Sequence, residues 1–489
     1  MDYEKTIKEI SETFDKNIIP SLSDYVRIDN LSPSYDPEWE TNFKLEKAGY
    51  HLLVWALNQG VKGMKGELIK EPGRTPMVFL EVPPQGCDKT ILLYGHFDKQ
   101  PHLGKWAEGL GPTTPVIKDG NLYGRGASDD GYSTYTIVSS IKAIQNQGGK
   151  HGKIVVTIEG GEESGSPDLV YYLKKIADRV GKPDLMVCMD SGCKDYNALW
   201  MTTSLRGVAV VNLSVECLEE SVHSGSGSGI APDSFTIMRI LLDRLQDSKT
   251  GKSLVPLEVE IPSYRVEDAK KLGEYMKEKC VSDIVKLAPG VKPLIDDYTE
   301  VILNNTWRST VVVTGMSDFP PAETAGNVLR AKTQCRISVR LPPTFNCKES
   351  EKILKETLEK DPPYNAKVTC KIIQSGNGWA AKDLCASLKK SFSESSKKMF
   401  GKDFYNCGEG GSIPFIAELG ELFPECEMLV TGVLGPGSNA HCLNECLNIQ
   451  FTKNMTVALA HAIHDYSSSS IDYCLKKSFI YFLQYFDID

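Results

Sequence analysis

Short apolar runs with almost no polar interruption recur through the first two hundred residues, at 91–94, 154–158 and 185–189. Runs of that length and kind suit strands covered on both faces, as in a parallel sheet. A fourth run follows at 428–433. Between them the spacing changes. Ile7, Ile10, Phe14 and Ile18 recur at three and four residues, residues 45–57 carry a similar stripe, and 169–180 reads as a helix closed by Gly181 and Pro183. This alternation predicts an α/β domain built on a doubly wound, mostly parallel sheet.

After Gly207 the pattern becomes strict alternation, with Ala209, Val211, Leu213 and Val215 on one face, and a second such stretch at 335–341 ends at Pro342. Strands of this kind have one exposed face. With helical stretches at 234–245 and 347–358, residues 207–374 read as a separate α+β domain. It interrupts the first domain, assigned to residues 1–206 and 375–489, because βα character returns after the Gly-Asn-Gly-Trp segment at 376–379. The serine run at 467–470 and the Lys397-Lys398 pair are expected in solvated loops.

Length and charge narrow the functional classes. A chain of 489 residues exceeds what one core usually serves. The net charge of −9 argues against a nucleic-acid backbone as partner. No apolar stretch approaches the roughly 20 residues that span a bilayer, and the start Met1-Asp2-Tyr3-Glu4-Lys5 lacks the basic and apolar regions of a signal peptide. Fourteen irregularly spaced cysteines fit reduced thiols, so a cytoplasmic protein is expected. Cys442 and Cys446 read as a pair of small, partly buried residues rather than ligands, since a further ligand at suitable spacing is missing.

The candidate chemistry sits where the apolar runs end. His96, Glu162, Glu163 and Asp190 follow three of the runs, and Gly435-Pro436-Gly437 leads from the fourth towards His441. Ligand sites in open α/β sheets lie beyond the carboxyl ends of strands, so these side chains converge. Together with Asp129 they read as a two-metal hydrolase site. Two divalent ions about 3.5–4 Å apart can share one carboxylate and one water and bring the pKa of that water near neutrality. His96 and Asp190 are assigned to one ion, Glu163 and His441 to the other, and Asp129 to the bridge. Such ligands suit zinc, manganese or cobalt. Glu162 is left as general base and proton shuttle. Asp98, two residues beyond His96, can take the second ring N–H of that histidine and fix its tautomer.

These segments resemble the di-metal aminoacylase, carboxypeptidase and dipeptidase superfamily, and within it the cytosolic nonspecific, carnosine-type dipeptidase group. The family's G-H-x-D, G-R-G-x-x-D and E-E-S-G patterns are matched at Gly95 to Asp98, Gly124 to Asp129 and Glu162 to Gly165. The resemblance implies that the inserted domain is a lid and dimerisation domain. It implies a homodimer in which His223, in a V-H-S-G segment, serves the partner's active site. It further implies that Arg340, in S-x-R-x-x-P, holds the substrate carboxylate, and that Asn327 and Ser412, the latter in E-G-G-S-I-P, line the substrate cleft. The chain departs from the common pattern at Gly131-Tyr132, around Asp190 and between His441 and Asn444. Dipeptides or short peptides with a free carboxyl end are therefore the expected substrates, N-acyl amino acids the alternative. A catalytically silent binding protein is the third reading, against which the intact Glu162 speaks.

Overall fold

In the computed structural model, which describes residues 1–411 and 413–469, the unbroken apolar runs form the centre of one large sheet. Strand Thr90–His96 lies parallel between Lys153–Glu159 and Leu185–Cys188, with Leu92 opposite Val155 and Met186. Glu427–Val430 adds to Leu185–Cys188, also in parallel, with Met428 opposite Met186. Nearly all residues of these four strands are buried, which is why their sequences show no alternation. The flanks are antiparallel. Met77–Val82 joins the outer side of Lys153–Glu159, Lys65–Ile69 follows it, and Val430 pairs with Thr202 on the other side. The sheet is thus mostly parallel at its centre, where the carboxyl ends of the strands point one way.

The chain divides into two compact units. The first takes Met1–Thr202, Ala381–Tyr405 and the residues from Glu418 on, and contains the parallel strands. Its helices include Lys44–Leu57, Ser133–Asn146 and Ile449–Ser468. Helix Ser133–Asn146 is buried along almost its whole length. It meets the last helix through small hydroxyl residues, Ser140 Oγ donating to the Thr456 carbonyl at 2.9 Å and Thr456 Oγ1 lying 3.2 Å from Thr136 Oγ1. Short side chains let the two backbones approach while the hydroxyls of Ser140 and Thr456 keep partners.

Three expectations need correction here. Residues 169–180 are not one helix but two, Leu169–Lys175 and Ala177–Val180, because Ile176 leaves the helical region. Ser467 is buried in the last turn of Ile449–Ser468 rather than looped out, since the apolar stripe continues through Tyr466, and Ser469 caps that end by donating to the Tyr466 carbonyl at 2.7 Å. Lys397 and Lys398 are solvated but helical, in the last turn of Ala386–Phe400, where cations favour the carboxyl end of a helix.

The second unit comprises Thr203–Ala380 and Asn406–Ala417. Its four-stranded antiparallel sheet runs in the order Thr310–Ser317, Lys332–Leu341, Gly207–Glu216, Lys367–Gly376. Along Gly207–Glu216 burial alternates residue by residue, as the sequence pattern requires. Ala209, Val211, Leu213 and Val215 pack with Ile237, Met238 and Leu241 of one helix and Leu354 and Leu358 of another. The edge strand Thr310–Ser317 leaves Val312, Val313 and Met316 exposed. Among the described residues no helix is long and apolar enough to cross a membrane, and the thirteen described cysteines are all free.

Candidate metal centre

The first unit brings five sequence-predicted ligands together from five places. His96 ends strand Thr90–His96, Glu162 and Glu163 form a 3-10 turn after Lys153–Glu159, and Asp190 stands two residues beyond Leu185–Cys188. Asp129 lies in the turn before helix Ser133–Asn146. His441 comes from a turn in which it and its neighbours Asn439 and Asn444 all have positive φ, a conformation that Asn and His accept more readily than most residues. Gly95 explains how closely these pieces meet. A Cβ there would fall 2.2 Å from Ser133 Oγ and 2.7 Å from Asp130 Oδ2.

Asp129 is the shared member. His96 Nε2 lies 3.2 Å from its Oδ1, and His441 Nε2 lies 2.9 Å from its Oδ2. On the first side His96 Nε2 is 3.9 Å from Asp190 Oδ2, and on the second His441 Nε2 is 3.2 Å from Glu163 Oε2. The donor atoms of His96, Asp129 and Asp190 form one group within 4.8 Å, and those of Asp129, Glu163 and His441 form another. A third group joins His96, Glu162 and Glu163, so Glu162 also stands within ligand range, 4.0 Å from His96 Nε2.

The electrostatics follow from crowding carboxylates in a buried place. Burial pushes Asp190 up to about 7, with His96 opposing and Asp129 adding. Burial, then Asp190, holds the Glu162 carboxyl well above its ordinary range, and burial with Asp129 raises Glu163. The imidazoles answer in the other direction. Bonds to Asp129 and Glu163 raise His441 to about 11, and His96 sits well above its usual range because Asp129 and Asp98 outweigh its burial. Asp129, facing both imidazoles, is lowered despite burial. Asp129, Glu162, Glu163 and Asp190 carry four negative charges when ionised, and two protonated imidazoles would balance only two of them. Two divalent cations with neutral imidazoles would balance all four, so this donor set fits a pair of such ions.

Several supporting residues carry no sequence signal of the periodic kind. Asp98 does lie beside His96, its Oδ1 3.4 Å from Nδ1. It also accepts the backbone N–H of Glu162 at 3.0 Å and of Glu163 at 2.9 Å, so one buried carboxylate aims a histidine and fixes the acidic turn. Asp130 Oδ2 accepts the His96 backbone N–H at 3.1 Å. Gln100 donates to Glu163 Oε2 at 2.6 Å. Lys99, buried, donates to the carbonyls of Tyr25, Val26 and Ile28, tying the segment after helix Ile19–Val26 to the end of the His96 strand. Glu445 accepts from Arg125, Gly126, Ser128 and Asp129. The Asn-Glu pair after His441 was visible in the sequence, but nothing local to it announces a partner at Arg125.

The remaining candidates belong to the second unit. His223 is exposed in a two-residue strand paired with Val328–Leu329, and its Nδ1 accepts the Gly225 N–H at 3.1 Å. Asn327, also exposed, accepts the Ser224 N–H at 2.9 Å through its carbonyl, so these two segments are neighbours. Arg340 is half-buried opposite Thr310 and Val208. Burial, and then the charge of Arg340, lower the guanidinium of Arg206 to about 10, which marks two cations close together. Ser412 lies outside the described residues.

Carboxylates and imidazoles gathered beyond the carboxyl ends of parallel strands make the ligand set of a metal-dependent hydrolase. The chain belongs to peptidase family M20/M25/M40, whose sequence profile matches residues 92–465. It is 26% identical over 385 residues to the cysteinylglycine-S-conjugate dipeptidase of Corynebacterium striatum, covering 78% of this chain and 82% of that protein. It is 27% identical over 390 residues to a Cys-Gly metallodipeptidase of Saccharomyces cerevisiae, covering 78% and 80%. The fold matches that of human carnosine dipeptidase 1 with a TM-score of 0.67 at 22% identity, over 96% of this chain and 99% of that one. The family resemblance read from the motifs therefore holds, and the chain groups with the metallodipeptidases.

Proposed function

We propose that this chain hydrolyses dipeptides or short peptides with a free carboxyl end, using two divalent ions, zinc or manganese. The observation that carries the reading is the pair of donor groups that share Asp129. The relatives' names, which specify Cys-Gly and related dipeptides, support the substrate class. Bound in these groups, the ions would polarise the scissile carbonyl and make a shared water acidic. The two Asp129-sharing groups use all five predicted ligands, which leaves Glu162 to act. As a carboxylate beside the ions it takes a proton from the attacking water and hands it to the leaving amine. Asp98 holds the backbone of Glu162 in place for that transfer.

At the other end of the substrate, Arg340 grips the terminal carboxylate by two parallel hydrogen bonds, with the charge of Arg206 adding to its field. Asn327 lines the cleft. The test is a panel of dipeptides in free and amidated forms together with N-acetyl amino acids, offered to protein loaded separately with zinc and with manganese. Amidation is expected to lower kcat/KM by about 30-fold or more, since losing one partner of a buried charge pair costs roughly 2–5 kcal/mol. Equal cleavage of free and amidated forms would sink the carboxylate grip, and preference for an N-acetyl amino acid over every dipeptide would make the chain an aminoacylase.

We further propose a homodimer in which His223 serves the partner's site. The exposed Val312, Val313 and Met316 on an edge strand support self-association through the second unit, because an open apolar edge invites strand pairing. Mixing His223→Ala with Glu162→Ala chains under subunit exchange should restore part of the activity that each lacks. A mixed dimer has one site with both residues intact. Proven heterodimers with no recovered activity would reject the cross-subunit role.

A further inference from the structure

His441 and Asp129 are 312 positions apart, and a buried ion pair helps to join their loops. Arg125 Nη1 donates to Glu445 Oε2 at 2.7 Å, with both side chains all but fully buried. The other bonds to that carboxylate come from the Asp129 loop. Gly126 N–H reaches Oε2 at 3.0 Å, while Ser128 N–H, Ser128 Oγ and Asp129 N–H reach Oε1 at 3.1, 3.2 and 3.2 Å. The guanidinium works in the opposite sense. Its Nη2 donates to the carbonyl of Cys442, the residue after His441, at 2.9 Å, and to that of Pro101 at 3.0 Å. Behind the clamp, Cys446–Asn448 pairs with Asn121–Tyr123, so the two loops leave the same ribbon. His441 itself is 55% exposed at the side chain and sits in a left-handed turn, so its own burial does little to fix it.

We propose that Arg125 and Glu445 are positioning residues for one half of the metal centre, the Asp129, Glu163 and His441 group, and that they set its ion affinity separately from that of the His96, Asp129 and Asp190 group. The inference rests on the two-ion reading above. The asymmetry comes from what the pair touches. Asp129 is common to both groups, so the difference lies at the histidines: the pair holds the His441 loop through the Cys442 carbonyl, whereas His96 is held by other means, Asp130 on its backbone N–H and Asp98 beside its ring. Because Glu445 and Arg125 neutralise each other, the clamp adds no net charge to a site already rich in carboxylates. A stability role alone is a weak explanation for such a pair, since a buried ion pair is often no more stabilising than apolar residues of the same volume.

The experiment is a titration of the full chain, stripped by chelation, with Mn²⁺ alone and then with Zn²⁺ alone, followed by calorimetry, with elemental analysis after dialysis. The wild type should take two ions per chain. Glu445→Gln keeps the shape of the side chain but turns an amide group towards donors, and it should weaken the second ion by about 10- to 100-fold while leaving the first within a few-fold, the range seen when a residue that orients a ligand is lost. Arg125→Lys keeps the charge but spares fewer donors for the Cys442 carbonyl, and it should shift the same ion in the same direction by less. It also decides the matter if Glu445→Gln gives no cooperative unfolding transition in the stripped state. Equal weakening of both ions would show a merely structural role and overturn the proposal, as would unchanged affinities in a folded variant. A wild type that takes fewer than two ions would overturn the two-ion reading itself and this inference with it, an outcome distinct from two ions bound equally well by every variant.

Discussion

Asp129→Ala is expected to lose both ions and all peptide hydrolysis together. Its two oxygens face different histidines, Oδ1 towards His96 and Oδ2 towards His441, so no other single side chain belongs to both of the groups that share it. Removing the carboxylate also removes the group that the two imidazoles engage most closely, leaving Asp190 and Glu163 as the acidic members of two incomplete sets. Activity should fall to background, and elemental analysis should find the ions absent. Two ions per chain still bound in the variant would take Asp129 out of the bridging role.

Glu162→Gln should separate binding from chemistry. The amide keeps nearly the same volume, and Asp98 still holds the backbone N–H of residue 162, so the turn and Glu163 should stay in place. Without a group that can carry the proton, turnover is expected to fall by about 10²–10⁴. Metal content should stay at the wild-type level, which distinguishes this variant from Asp129→Ala. Near-normal turnover would assign the proton transfer elsewhere. A lost ion would instead place Glu162 among the ligands, the role admitted by its 4.0 Å approach to His96.

The central strands and the residues at their ends were legible because one physical fact produces both signals. A strand buried on both faces must be apolar throughout, and the first polar side chain after it stands at the sheet's carboxyl edge, where sites form. His96, Glu163 and Asp190 could be read in that way without any partner being known. The inserted unit's sheet was legible for the complementary reason, since one covered face forces alternation at Ala209, Val211, Leu213 and Val215. What escaped is what hydrogen bonds to backbone. Asp98 fixes two amides and Glu445 three, and a carboxylate that serves main-chain N–H groups needs no particular residue opposite it, so it leaves no pattern. Gln100 meets Glu163 only because the fold brings two strand ends together. Ser467 misled because the composition around it suits a turn, while packing through Tyr466 decided its conformation; Ser470 lies outside the described residues.

Strand Glu427–Val430 has a consequence for how the chain is made. It pairs in parallel with Leu185–Cys188 and touches Thr202 on its other side, so the middle of the first unit's sheet waits for a segment that comes off the ribosome long after its neighbours. The four strands of the second unit's sheet, by contrast, all lie between Gly207 and Gly376 and are complete well before then. A chain that ends before Glu427 therefore presents a raw apolar strand edge along Leu185–Cys188, where the whole protein has a neighbour, and such edges pair with whatever strand they meet. A prematurely terminated product is thus a sticky half-sheet rather than a smaller peptidase.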